Sequence, residues 1–158
     1  MDDKSFGSGK IGFITKSDSL VHFIDARIIY TPRETLAQSL VDDAFRKFPR
    51  LKGLKIFAAD VDGSEVRAIA SLDPADIGQP APNEERDVIA RGSVYHGKGR
   101  HEVVVSMPLH DSNGDTVAAV RVVMKPFPGQ TEKNAIARAM PIVKQMEPRV
   151  QKAKDLFQ

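Results

Sequence analysis

The sequence, 158 residues long, contains no cysteine. This absence excludes disulfides, thiolate metal sites, covalently attached c-type haem and cysteine nucleophiles. Long apolar runs are also missing, because no stretch approaches the roughly 18 consecutive apolar residues that indicate a membrane-spanning helix. The first ten residues, MDDKSFGSGK, lack the apolar segment of a signal peptide. We therefore expect no membrane span in this chain and interpret residues 1–16 as a disordered or added leader.

An excess of charge of one sign is a further absence. The chain has 23 Lys and Arg against 21 Asp and Glu, a formal net charge of +2, which is too small to predict nucleic-acid binding. Hydrophobic residues make up 41% and charged residues 28% of the sequence, as is typical of globular proteins. A chain of this length buries about 70% of its surface on folding. Residues 17–158 are therefore predicted to form one domain without cross-links.

Helical patterns occupy the beginning of this domain. Apolar residues at helical spacing predict a helix over residues 17–30. A second helix is predicted directly after it, with Thr31 as its N-cap, Pro32 at the first helical position and Glu34 completing a capping box. Pro49 is predicted to end this helix.

The C-terminal segment, residues 131–158, predicts one further helix with an apolar residue at every seventh position. These positions and the apolar residues between them are Ile136, Ala139, Val143, Met146, Val150, Ala153 and Phe157. The pattern is a two-position heptad repeat. Two interpretations stay open: the helix packs on its own domain, or it forms a homodimer seam that relays a signal.

The middle of the chain predicts five antiparallel strands. They cover residues 54–61, 65–72, 93–96, 102–109 and 116–124. The pairs Asp62-Gly63 and Asn113-Gly114 are signals for hairpin turns. A long connection rich in proline and glycine separates the second and third strands, and its Glu84 and Glu85 are interpreted as solvated charges. The predicted class is α+β: a PAS-like five-stranded antiparallel sheet, with N-terminal helices and a C-terminal helix packed on one face.

The last hairpin separates into two different faces when residues are paired outward from a two-residue Asn113-Gly114 turn. One face is wholly apolar, with the pairs Leu109–Ala118, Met107–Val120, Val105–Val122 and Val103–Met124. The other face pairs Ser106 with Arg121 among small and apolar groups. A desolvated guanidinium without a partner costs several kcal/mol. Arg121 is therefore predicted to reach solvent, to pair with Asp60 or Asp73, or to bind a ligand's carboxylate or phosphate.

Three stretches resemble extracytoplasmic Cache sensor domains, a PAS-like group. They are LKIFAADVDGSEVRAIASLDPADIG at 54–78, RGSVY at 91–95 and VVVSMPLHDSNGDTVAAVRVVM at 103–124. The resemblance covers roughly residues 31 to 124. It implies a ligand between the sheet and the 73–92 connection, which is also the side on which the second face of the last hairpin places Arg121.

The resemblance and the face pattern together give a predicted ligand site for a small carboxylate. Arg121 would hold the anionic group, Ser106 and Tyr95 would add hydroxyl contacts, and Arg91 and His101 would line the rim. Asp60 is included as a carboxylate beside the arginine. No cofactor, metal site or catalytic residue is predicted, because no set of nucleophile, base and orienting group is found.

The predicted function is that of a ligand-binding sensor module in bacterial signal transduction. It would not be an enzyme, and the resemblance implies a periplasmic or otherwise extracytoplasmic location. The alternative is a ligand-free PAS-like dimerisation or interaction module, with Arg121 in a structural ion pair. A small hydrolytic or metal-dependent enzyme is the third reading.

Overall fold

The computed structural model describes residues 34–158. The predicted leader, the helix over residues 17–30 and the cap at Thr31 lie outside the described residues. The helices and strands in chain order are α1 (Leu36–Lys47), β1 (Gly53–Ala59), β2 (Val66–Ser71), α2 (Asn83–Arg91), β3 (Tyr95–Lys98), β4 (Val103–His110), β5 (Thr116–Met124) and α3 (Glu132–Lys144). Short 3₁₀ turns occur at Pro74–Asp76, Glu147–Arg149 and Ala153–Phe157. The predicted α+β class is confirmed.

The five strands form one antiparallel sheet in the order β2-β1-β5-β4-β3. The predicted register of the last hairpin is confirmed at every apolar pair and at Ser106–Arg121. The predicted two-residue turn is wrong, because the register shifts at His110, which pairs with Thr116. The loop is longer because Asp111 Oδ1 accepts hydrogen bonds from the backbone N–H groups of Asn113 and Asp115.

Helix α1 begins later in the chain than the sequence pattern predicts. Thr35 is the N-cap, and its side chain accepts a hydrogen bond from Gln38 N at 3.2 Å. Glu34 therefore precedes the helix, and the predicted capping box at that residue is wrong. Since Thr35 satisfies one of the free amide groups of the first turn, it is an effective start signal. The helix ends at Lys47, just before Pro49, as predicted.

The main core lies between one face of the sheet and the helices α1 and α3. Leu40 and Val41 of α1 and Ile142 of α3 are buried there against the apolar face of the strands. The strand residues of this core include Leu54, Ile56, Val103, Val105, Leu109, Val120 and Val122. This arrangement confirms that the described helices from both ends of the domain pack on one face.

The C-terminal segment is not one continuous helix, so the predicted span of residues 131–158 is wrong. Helix α3 begins after the N-cap Thr131 and ends at Lys144, and Pro148 lies in the following 3₁₀ turn. Pro148 has no amide hydrogen to donate to the carbonyl of Lys144 and its ring clashes with the preceding turn, so the helix does not continue past Lys144, although it accommodates Pro141 in its interior. Val143, Met146 and Val150 are buried in the domain's own core. These heptad positions are therefore not available for a dimer seam.

The connection between β2 and β3 covers the opposite face of the sheet. Val88 of α2 and Ala81 are buried against Phe57, Ala68 and Ala119. This second, smaller core holds α2 over the face that carries Arg121. Within residues 34–158, no helix combines the length and the apolar character needed to cross a membrane.

Candidate functional site

A row of polar side chains crosses all five strands on the face beneath the connection. Ser71 pairs with Lys55, Lys55 with Arg121, Arg121 with Ser106, and Ser106 with Tyr95. Directly paired residues of adjacent strands share one face of a sheet. The five residues therefore form a continuous row, and the guanidinium of Arg121 stands in its centre.

The centre of this row is held by a buried carboxylate of α2. Ser106 Oγ donates to Glu85 Oε1 at 2.7 Å, and Arg121 Nη1 lies 3.3 Å from the same oxygen. The Glu85 side chain is only 1% exposed, whereas that of Arg121 is 33% exposed. Arg121 thus pairs with a carboxylate of its own chain, but the predicted partners Asp60 and Asp73 are wrong.

The second oxygen of this carboxylate is unsatisfied. Glu85 Oε2 is buried and has no hydrogen-bond partner among residues 34–158. An unsatisfied buried acceptor costs about 1–3 kcal/mol, and more when it is charged. Glu85 was missed by the sequence interpretation, which took it as solvated. The available signal was its position three residues before the buried Val88, on the same face of α2.

Two further carboxylates of the connection contact the ends of the polar row. Asp76 Oδ2 lies 2.9 Å from Lys55 Nζ and accepts a hydrogen bond from Ser71 Oγ at 3.2 Å. At the other end, the Tyr95 hydroxyl donates to Asp87 Oδ2. Every polar side chain of the row is therefore met by an acidic side chain of the connection.

These contacts shift the pKa values of two of the groups. The hydrogen bond from Lys55 lowers the pKa of Asp76, and this effect outweighs the loss of hydration that acts against it. The hydrogen bond to the Asp87 carboxylate raises the pKa of Tyr95. Both shifts favour the protonation states that keep the connection attached to the sheet.

Two cavities lie on either side of Arg121. One, of 540 Å³, lies over β1 and β2 and is lined by Lys55, Asp73 and Asp76 among others. The other, of 430 Å³, lies over β3 and β4. Arg121 and Val104 line both cavities. Volumes of this size are in the range of small-molecule sites.

Three of the predicted site residues meet in the smaller of these two cavities. Arg121, Ser106 and Tyr95 line it together with Glu85 and His96. The carboxylate, the guanidinium and the hydroxyl groups are all hydrogen-bonding groups, so the cavity is equipped to orient a polar ligand.

The other three predicted site residues lie elsewhere. Arg91 is an exposed residue of α2 whose Nε lies 3.0 Å from Asp87 Oδ1. Asp60 organises the turn after β1, where it accepts hydrogen bonds from the backbone and hydroxyl of Ser64. His101 lies in the loop before β4, at a different hollow of the surface. None of these three lines either cavity beside Arg121.

Solved structures with a similar fold include GAF domains. With a GAF sensor protein from Burkholderia vietnamiensis the TM-score is 0.54 at 14% identity, over 75% of this chain and 78% of that one. The nlh2 GAF domain of A. aeolicus, in an inactive state, gives 0.53 at 11% identity, over 73% and 83%. The GAF domain of a two-component sensor histidine kinase from Bacillus halodurans gives 0.51 at 9% identity, over 75% and 92%.

These likenesses establish the fold and nothing finer. No model of a known protein family matches the sequence, and no curated protein matches it. The PAS-like fold predicted from the sequence is confirmed by the GAF structures, because this domain and the GAF domains share a five-stranded antiparallel sheet with helices. The narrower assignment to Cache domains, and the extracytoplasmic location that depends on it, stay predictions.

Proposed function

We propose that this domain is a sensor module of a signalling protein that binds a small carboxylate metabolite rather than converting it. The ligand would occupy the 430 Å³ cavity between the sheet and α2. Two of the similar GAF domains support this assignment, since they belong to a sensor protein and to a sensor histidine kinase. A fold alone does not fix a function, so the proposal depends on the groups in the cavity.

The observation that carries the proposal is the incomplete pairing of Glu85 and Arg121. Glu85 Oε2 lacks a donor among the described residues. Arg121 contacts that carboxylate through one nitrogen, Nη1, and a guanidinium has five N–H donors. An occupant with an acceptor for Arg121 and a donor for Glu85 would satisfy both groups once a shift of α2 opens Glu85 Oε2 to the cavity. A carboxylate that also carries a hydroxyl or ammonium group has this combination.

The remaining groups of the cavity would orient such a ligand. Ser106 already donates to Glu85, so its hydroxyl oxygen is left as an acceptor. Tyr95 lines the same cavity while its hydroxyl contacts Asp87 of α2. A ligand that takes over contacts of Glu85 changes how firmly α2 is held on the sheet. Binding of the ligand would thereby favour a different position of α2, and this change of position would be the signal.

The experiment is a thermal-shift screen of small organic acids, followed by calorimetry on each acid that stabilises the protein. The panel pairs each simple acid with its hydroxy or amino counterpart, for example succinate with malate and propionate with lactate or alanine. We expect Arg121→Met to weaken the best ligand by about tenfold or more, as for loss of a charged hydrogen bond. Arg86→Ala is the matched control, since Arg86 is an exposed residue of α2 outside the cavity lining.

Two further variants keep the test decisive if Arg121→Met folds poorly. Ser106→Ala removes a hydroxyl group and nearly keeps the size of the side chain. Arg121→Lys keeps the positive charge and removes the planar hydrogen-bonding geometry of the guanidinium. Unchanged affinity in all three variants would show that the ligand does not bind in this cavity. Equal affinity for succinate and malate would remove the role of Glu85 Oε2 as an acceptor.

A ligand-free interaction module is the second candidate function. The ion pair between Arg121 and Glu85 favours it, because the guanidinium already has a carboxylate partner within the chain. If no acid in the panel stabilises the domain, this second function becomes the better one. Analytical ultracentrifugation of the whole chain would then test for self-association.

A further inference from the structure

A further hollow, separate from the site at Arg121, lies at one end of the three central strands of the sheet. It is formed where the loop before β1, the turn before β4 and the segment after β5 come together, since these strands are adjacent and antiparallel. Its volume is 430 Å³. It is lined by Arg50, Lys52, Arg100, His101, Lys125 and Pro126.

The lining of this hollow contains four cations and no carboxylate. Arg50, Lys52, Arg100 and Lys125 form no ion pair within residues 34–158. Glu102, although it follows His101 in sequence, lines the cavity on the other side of Lys52. By contrast, the cations of the polar row are paired with acids of the connection. The hollow is thus a local concentration of positive charge on a chain that is nearly neutral overall.

Backbone contacts fix the positions from which these cations extend. Lys52 N donates to Val123 O at 2.8 Å, which ties the start of β1 to the end of β5. Lys52 Nζ donates to the carbonyl of His101 at 2.9 Å, which ties the same segment to the turn before β4. The like charges are therefore brought together by the sheet, and a bound anion would reduce the mutual repulsion that water and salt leave unscreened.

We infer that this hollow binds a compact anion that carries two or more phosphate groups. Two arginines present planar guanidinium groups that match phosphate oxygens, and two lysines add point charges. Four cations exceed what a single carboxylate neutralises, so the hollow differs in chemistry from the site at Arg121. Its volume suits a small molecule, and the formal net charge of +2 is too small to predict nucleic-acid binding.

The test is a calorimetric titration of the whole chain with inorganic pyrophosphate, at low salt and at 0.15 M salt. The variant Arg50→Ala/Lys125→Ala removes two cations of the hollow. Its matched control, Arg86→Ala/Lys154→Ala, removes the same two residue types at exposed positions outside it. One control position is far from the hollow. Lys154 is near Gln158, whose carbonyl accepts a hydrogen bond from Leu36 N at the start of α1. Arg50 follows the other end of this 12-residue helix, which is about 18 Å long.

We expect pyrophosphate to bind the unchanged protein and the control with similar affinity. The variant Arg50→Ala/Lys125→Ala should bind at least about tenfold more weakly, and higher salt should weaken the binding of all three. A urea unfolding curve for each variant verifies that it is folded, and the exposure of all four positions makes this the expected result.

Three outcomes would overturn the inference. The first is no heat of binding with pyrophosphate at low salt. The second is equal weakening in the variant and its control, which would mean general charge attraction. The third is equally tight binding of citrate, of a DNA oligonucleotide or of phosphatidylglycerol vesicles, since a site for a compact polyphosphate should prefer pyrophosphate to each of these.

Discussion

The two faces of the sheet are covered in different ways. The face beneath α1 and α3 is packed with apolar side chains, as the main core. The face beneath the 73–92 connection has a small apolar core at one end and a polar row across its centre. All three buried polar residues of the described chain, Ser71, Glu85 and Ser106, lie on this second side.

The difference separates stability from recognition. Apolar packing is close to additive in buried area and independent of any particular partner. Contacts between acids and the polar row return little net energy, because each charge loses hydration on pairing. A cover held in this way is more easily moved or exchanged than one held by packed methyl groups. The connection is therefore the part of the domain suited to respond to a ligand.

The largest predicted effect comes from placing the same charge on each face of one strand. Val105→Asp would bury a carboxylate in the main core, where Val105 is 0% exposed, and we expect a loss of more than about 4 kcal/mol or failure to fold. Val104→Asp would place it beside Arg121 at the border of the two cavities, with a cost below about 2 kcal/mol. Urea unfolding of both variants measures the difference. Similar losses would mean that the second face is as tightly packed as the first.

The separation of the two faces was predictable because it depends on local rules. Side chains of a strand alternate with a period of two, and the turn near Gly114 restricts the register. The pairing of Ser106 with Arg121 followed from counting along 16 residues of chain, even though the turn itself was longer than predicted. A bulge at His110 absorbed the extra residue without changing the pairs beyond it.

The acidic partners were not predictable in this way. Glu85 contacts Arg121 across 36 residues of sequence, and the contact depends on how α2 crosses the sheet. The distance along the chain gives no preference among Asp60, Asp73 and Glu85 as partners. The end of α3 is a different case, since Pro148 is a local signal in the sequence for the end of a helix.

An intermediate effect is expected from removing one member of the buried ion pair. Arg121→Met leaves Glu85 without its cation, and we expect a loss of about 1–3 kcal/mol, because water in the adjacent cavity partly replaces the arginine. The double variant Arg121→Met/Glu85→Met removes both charges and should recover most of this loss. Urea unfolding of the two single variants and the double variant gives the coupling energy. A double variant no more stable than Arg121→Met would mean that the pair is not energetically coupled.

The smallest effect should come from the contact between Asp76 and Lys55. Their side chains are 21% and 29% exposed, so the pair should contribute less than about 1 kcal/mol. Because the hydrogen bond from Lys55 lowers the pKa of Asp76 below its ordinary 3.8, this contribution is complete above that pH and is lost as the pH falls through the lowered value.

We therefore expect Asp76→Asn to be less stable than the unchanged protein at pH 7, with the difference becoming smaller as the pH falls below 3.8. Unfolding curves over that range measure it. Asp62→Asn, in the exposed turn after β1, is the control, because it removes the same charge at a position outside the polar row. A difference that stays constant down to pH 3 would mean that Asp76 acts through its shape and hydrogen bonds rather than its charge. Charge would then not contribute to the attachment of the connection at the Asp76 end of the polar row, whereas it does at the centre of the row, at Glu85.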